Sequence, residues 1–282
     1  QRIDQFTGKN VNYRETTTWH DESVMDDSKV DGVMFIKKGG KYYLRQYNGS
    51  INVKWFGAKG DNTTNDTEAF RKAHNFIKSS IPPNQLKPPI LFIPRGNYII
   101  ENFEIDVTAF QMCGEGSKNT LFKFVNSMGS APAGIYFKNA VLDTSSPDHK
   151  FYNDIKIENI GCDPSTIPNG KSFIQIRNCY DFLIRGVDVD TDSFALVNKF
   201  ALEISDNVYT GSVENCYLPK VNCNASIAWT ITTITFISLR SMNVRLNKCL
   251  GMTFIQPIVQ GNENEKFYIN NCDTITIMGG DM

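Results

Sequence analysis

One short unit recurs through the second half of this sequence and limits its fold more than any other feature. An aliphatic residue, two mostly polar residues and then Cys, Ile or Val appear as IENI (157–160), IRNC (176–179), IRGV (184–187), VENC (213–216), LNKC (246–249) and INNC (269–272). Apolar residues follow one another at eight residues (Ile176 to Ile184, Leu246 to Phe254, Ile269 to Ile277) or nine (Ile204 to Val213), as two short strands of one coil would. The first members recur at 176, 204, 246 and 269, and the gap between 204 and 246 divides into 23 and 19 if Ile227 opens a further coil. A period of roughly two dozen residues implies a solenoid, in which each coil buries its apolar face against its neighbours.

The same unit accounts for the cysteines. There are seven, at 113, 162, 179, 216, 223, 249 and 272, an odd number with no CxxC pair. That argues against a disulfide framework or a zinc site. They read as small inward-facing hydrophobes stacked beside turn asparagines.

A solenoid needs its first coil covered, because an open end exposes apolar interior and unpaired backbone. The stretch WFGAKGDNTTNDTEAF (55–70) supplies a cover. Gly57, Gly60 and Asp61 mark a change of chain direction. Asn65 and Glu68 have capping-box spacing, and Ala69, Phe70, Ala73, Phe76 and Ile77 form one apolar helical face that ends before Pro82-Pro83. This predicts a cap helix over about 65–80 on an all-β parallel solenoid spanning 51–282. Residues 1–50 read as a connector, with a weakly patterned lead-in over 1–31 and a hairpin over 32–47 turning at Gly39-Gly40.

Lys plus Arg number 29 and Asp plus Glu 30, a net charge of −1, so no broad basic field is offered to nucleic acid. No uninterrupted apolar stretch of about 18 residues predicts a membrane span, and no signal peptide is apparent. The start at Gln1 suggests a processed or trimmed chain, and the end at IMGGDM falls within a coil. The expectation is that the protein continues beyond 282 or that a trimer interface covers this end.

WFGAKGDNTTNDTEAFRKAHNFI followed by ILFIPRGNYII (90–100) resembles the N-terminal signature of the pectate-lyase-like, right-handed parallel β-helix superfamily. The upstream WHDESVMDDSKVDGVMFIKKGGKYYLRQY (19–47) is similar to the connector that precedes such helices in phage tailspike proteins. The resemblance implies an extracellular or virion-associated homotrimer, attached to a larger assembly through residues 1–50 and directed at a bacterial capsule or O-antigen. By the same resemblance it implies a depolymerase that cleaves this polysaccharide by hydrolysis or β-elimination. The alternative is a non-catalytic spike that grips a glycan or receptor. Fold alone does not decide between them.

Hydrolysis requires two carboxyl groups flanking the bond, and lysis a base with a cation to neutralise the uronate. In RGVDVDTD (185–192), Val187 and Val189 should face inward and Asp188, Asp190 and Asp192 outward. Positions two apart on a strand are separated by about 6.6 Å, near the lower end of the ~6.5–9.5 Å of inverting hydrolases. Three such carboxylates could also hold Ca2+; the competing reading is a solvated Asp-rich turn. No other cofactor is expected. Coils stack ~4.8 Å apart, so Glu158, Asp188 and Glu214 would form one acidic strip if they share a face. The candidate catalytic residues are therefore Asp188, Asp190 and Glu214. Glu158, Arg185 and Arg177 are candidates for substrate binding, with Asp154, Lys156 and Glu203 as further outward charges. Tyr209 and Trp229, with Tyr180 and Tyr217, fall near turns and could stack on sugar rings or on a neighbouring coil. His20, His74 and His149 lie apart in sequence and form no triad.

Overall fold

The computed structural model describes residues 2–5, 7–19, 23–80, 88–138, 151–189, 199–260 and 266–281. From residue 50 onward the chain winds as a right-handed parallel β-helix whose coils contribute strands to three sheets in turn. Sheet I begins with Ser50–Asn52, Ile90–Ile93 and Gln111–Gly114, and continues through Ile155–Glu158, Phe182–Arg185, Gly211–Glu214 and Ile234–Ile237. Sheet II runs from Asp61–Asn65 through Gly96–Ile100 and Thr120–Phe124 to Asp188–Val189. Sheet III runs from Phe103–Ile105 through Ser172–Cys179 and Phe200–Val208 to Phe267–Asn270.

Parallel register sets like residues over like. Leu91, Met112, Ile157, Ile184, Val213, Phe236 and Phe254 stack as one inward column of sheet I, and none is exposed. The corners between sheets explain the recurring unit. Asn159, Asn178, Asn215 and Asn271 all have φ between 48° and 56°, the left-handed region that Asn enters more readily than other side-chain-bearing residues. Each corner turns the following Ile or Cys toward the core. Amide ladders tie coil to coil. Asn207 Nδ2 donates to Asn178 Oδ1 (3.0 Å), Asn247 Nδ2 to Asn224 Oδ1 and Asn270 Nδ2 to Asn247 Oδ1 (both 2.8 Å).

The extra coil in the long gap is offset from its expected position. Lys220–Asn224 forms it, with Cys223 in register with Ile204 below and Leu246 above, so the spacings run 19 and then 23. Ile227 lies in the turn beyond this strand and is 59% exposed. Periodicity favoured the aliphatic residue, whereas the buried position is filled by a cysteine. All seven cysteines are free thiols; Cys162, Cys179, Cys216, Cys223 and Cys249 are buried, while Cys113 and Cys272 are partly exposed. Burial pushes the thiols of Cys179, Cys216 and Cys249 up to about 12, well away from reactive thiolate.

The cap helix spans Thr67–Ser79, and Phe70 meets Tyr98, Phe103 and Phe122 edge-on at 5.5–5.7 Å between ring centroids. Its start is not the expected Asn65–Glu68 box. Asn65 Oδ1 accepts from the Thr67 amide and hydroxyl, and Glu68 pairs with Arg71. Asp66, 1% exposed, accepts instead from the backbone amides of Lys59 (2.7 Å) and Gly60 (3.0 Å), and its own amide donates to Ile99 O. One residue, through its carboxylate and its own amide, thus ties the Gly57–Gly60 turn, the helix start and the first coil together. Burial pushes its carboxyl up, and the two amide donors oppose that shift. Gly60 has φ 61° and lies where a Cβ would fall 2.8 Å from the Tyr98 ring, so this turn requires glycine. His74 is a packing residue, 5% exposed, whose Nε2 accepts from the Asp106 amide; His20 and His149 lie outside the described residues.

Ahead of the coils, Phe35–Lys38 and Lys41–Arg45 form the expected hairpin, with Gly39 and Gly40 both at positive φ. The lead-in is more ordered than its sequence suggests, because Tyr13–Thr16 pairs antiparallel with Lys41–Arg45 and Asp27–Lys29 forms a 3-10 turn. A four-residue polar strand carries no signal of its own; the hairpin supplies its order. Trp19, Phe35 and Phe76 pack in sequence and seat this sheet on the cap helix.

Two outcomes follow. Asp66→Ala should lower the unfolding free energy by about 1–3 kcal/mol because it orphans two partly buried amides, whereas Glu68→Ala should cost under about 0.5 kcal/mol, as an exposed ion pair does. Guanidinium denaturation of both variants would reverse this ranking if Glu68 were the true cap. Ellman's reagent should modify Cys113 and Cys272 in the native protein and the five buried thiols only on unfolding; fast labelling of Cys223 would refute the stacked core.

Candidate functional site

The outward face of sheet I gathers three of the candidate charges, Glu158, Arg185 and Glu214. Strands IKIE, FLIR and GSVE each end on an outward residue just before a corner, and parallel register aligns them. Glu158 lies opposite Arg185, and Arg185 opposite Glu214, on three successive coils. Arg185 Nη2 is ion-paired with Glu158 Oε1, and Ser212 Oγ donates to Glu214 Oε1 at 3.0 Å. The Arg185 side chain is 49% exposed and therefore accessible to an incoming anion. The row continues into Ile237 and Ile255, so its polar part is confined to these coils.

Asp188 does not join this row. Val187 and Val189 do face inward, as expected, but a corner at Gly186 places Asp188 on sheet II. There Oδ2 accepts from Ser117 Oγ (2.7 Å) and Oδ1 from the Tyr217 amide (3.1 Å). Arg185 occupies the position that the expected acidic strip gave to Asp188, and the row alternates in sign. Like charges stacked directly opposite each other would destabilise the sheet, whereas alternation favours it. Asp190 and Asp192 lie outside the described residues, so the Ca2+ site they would complete is not described. Among the described residues no three His, Cys, Asp or Glu side chains are grouped to hold a metal ion.

Arg177 lies on sheet III and is engaged internally. Its Nη2 reaches Asp206 Oδ2 at 3.2 Å, and Asp206, 3% exposed, also accepts from the amide and hydroxyl of Ser226. Glu203 accepts from Ser172 Oγ, and Asp154 pairs with Lys156.

A second feature lines the corner where sheet III passes into sheet I. Phe151, Tyr180 and Tyr209 stack over one another, with centroids 4.5 Å apart for the first pair and 5.2 Å for the second. Tyr180 remains 48% exposed. Trp229, with φ 63° and 57% exposure, and Ile227 continue the apolar surface in the turn of the next coil. Tyr217 is apart from them on sheet II, with the Arg240 guanidinium 5.1 Å from its ring centroid. Phe151 and Ser212 were missed by motif reading. Phe151 had a signal, since 151, 180 and 209 are equally spaced by 29 residues; Ser212 had none.

The arrangement offers flat rings for pyranose faces, a guanidinium for a sugar carboxylate, and two carboxylates on either side of it. Glu158 and Glu214 are two coils apart, about 9.6 Å at the backbone, just beyond the ~6.5–9.5 Å between carboxyl groups that accommodates a water for inverting hydrolysis, a difference that side-chain rotation can close.

The family model described as rhamnogalacturonase A/epimerase, pectate lyase-like, matches residues 50–274. The pre-neck appendage protein of Bacillus phage phi29 is 25% identical over 175 residues, covering 60% of this chain. The chain spans only 18% of that relative's length. An uncharacterized 65.4 kDa protein in the cps region of Klebsiella pneumoniae is 33% identical over 86 residues, 30% of this chain and 14% of that protein. The crystal structure of pre-mature phi29 gene product 12 superposes with a TM-score of 0.55 at 17% identity, covering 82% of this chain and 32% of that one. At that identity the structural likeness shows the fold alone.

Because both oxygens of Asp188 are engaged, Asp188→Ala should lower stability by about 1–3 kcal/mol and leave glycan binding at the wild-type level. Thermal melts and a binding isotherm on the same preparation would check this. Loss of binding without loss of stability would return Asp188 to the site.

Proposed function

We propose that this chain, which belongs to the rhamnogalacturonase A/epimerase, pectate lyase-like family, is a β-helical module of a phage-appendage-like protein that engages a bacterial cell-surface polysaccharide along sheet I. The observation that carries the reading is the co-registered Glu158–Arg185–Glu214 row beside the half-exposed Phe151–Tyr180–Tyr209 ladder. An extended acidic chain laid across these coils would stack sugar faces on the rings. It would exchange its carboxylate for Glu158 on the Arg185 fork, a bidentate geometry that an ammonium cannot match. Trp229 extends the same apolar edge. The likeness to the phi29 appendage protein supports virion association and attachment to a larger assembly through residues 1–50. The homotrimer is part of the same reading.

Cleavage is the second reading, favoured by the spacing of Glu158 and Glu214 on either side of Arg185. One would protonate the leaving oxygen and the other activate water. Asp188 is spent on structural bonds, which leaves Glu214 as the first acid to test.

The experiment is a panel of purified capsules and O-antigens, followed for binding, new reducing ends and unsaturated uronic products. One acidic polysaccharide should bind, with Arg185→Gln and the pair Tyr180→Ala/Tyr209→Ala each weakening it roughly tenfold or more, the scale of one charge-assisted hydrogen bond. If products form, Glu214→Gln should abolish them while retaining binding. Unchanged affinity in both sheet I variants would sink the proposal.

A further inference from the structure

We infer a second binding site, for an acidic oligosaccharide, in the cleft between the N-terminal connector and the first coils. This cleft has a volume of about 990 Å3 and is walled by Lys9 and Arg45 of the connector, Lys54, Trp55 and Lys59 of the following turn, and Glu115 of the coils. Its charge is opposite to that of the whole chain, which carries −1. Lys9, Lys54 and Lys59 have no carboxylate partner among the described residues, the Lys54 ammonium donating only to the Arg95 carbonyl at 3.2 Å. Glu115 is the one acid in the wall, and its Oε2 is already held by the Arg95 amide at 3.0 Å.

Arg45 gives the cleft a built wall rather than a chance patch of lysines. It is 3% exposed, ion-paired to the equally buried Asp4, and its guanidinium lies 3.8 Å from the centroid of the Trp55 ring. Its buried Nε has no hydrogen-bond partner. Such groups are rare in native proteins. Between the cations stand neutral amides, Asn10, Asn12, Gln46 and Asn52, which can donate to and accept from hydroxyls at once.

Cations for carboxylates, amides for hydroxyls and an indole for apolar sugar faces together describe a uronate-containing oligosaccharide, and the volume suits several residues. Glu158, Arg185 and Glu214 do not line this cleft, so the two sites fail separately.

The test titrates the full chain calorimetrically with a uronic acid tetrasaccharide, a neutral glucose tetrasaccharide and inorganic phosphate. It compares wild type, Lys9→Gln/Lys59→Gln and Arg185→Gln. Both substituted lysines are exposed, and a matched thermal melt confirms folding. The uronate should bind wild type at the cleft, weaken tenfold or more in the double-lysine variant, and weaken further with salt as screened charges do. This cleft component should persist in Arg185→Gln. The inference is overturned if the double-lysine variant binds as wild type, if the neutral tetrasaccharide binds equally well, if phosphate displaces the uronate at equal charge, or if Arg185→Gln removes all binding.

Discussion

In-register stacking of parallel coils is the constraint from which the rest of this molecule follows. Each inward side chain sits over one of the same class about 4.8 Å away, so the column Leu91–Met112–Ile157–Ile184–Val213 can exclude water only if every corner falls at the same point of the coil. The left-handed asparagines set those corners, and amides bond one coil to the next both at a corner, Asn178 to Asn207, and along the Asn224–Asn247–Asn270 ladder. The same register that builds the core also sorts the surface. Charges at equivalent positions become vertical rows, and rings at equivalent positions become ladders. Glu158, Arg185 and Glu214 are neighbours for this reason, although each is more than two dozen residues from the next in sequence.

A stacked solenoid has ends, and the N-terminal one is closed by a helix whose own stability would be marginal. Asp66 resolves this by bonding the turn before the helix rather than the helix itself. The connector then packs onto the outer side of that helix through Phe35 and Phe76. Its seam with the first coils is the cleft that carries Arg45 and Trp55. Fold and surface chemistry thus arise from the same contacts at both the cap and the sheet face.

Much of this was legible in the chain itself. The eight- and nine-residue spacings marked successive strands, and the unit ending in Cys marked the corners, because both signals are local. What the sequence hid depends on which residue lies across from which. Ile227 looked like a core position, yet Cys223 holds it; Asp188 alternated correctly with Val187 and Val189, yet the Gly186 corner moved it to another sheet. Asn65 and Glu68 had the right spacing for a capping box, but a buried Asp66 met amides that lie six and seven residues upstream. Tyr13–Thr16 had no strand signal because its partner strand supplies the order.

Sheet I is the face proposed to meet glycan. Hydroxyl-radical footprinting of the protein with and without a bound acidic surface polysaccharide measures this at the side chains themselves. Oxidation of Phe151, Tyr180 and Tyr209 should fall several-fold on binding, with Tyr217 on sheet II unchanged. Equal oxidation of the ladder in free and bound protein, with the polysaccharide demonstrably retained, would contradict the account and send the glycan to another face.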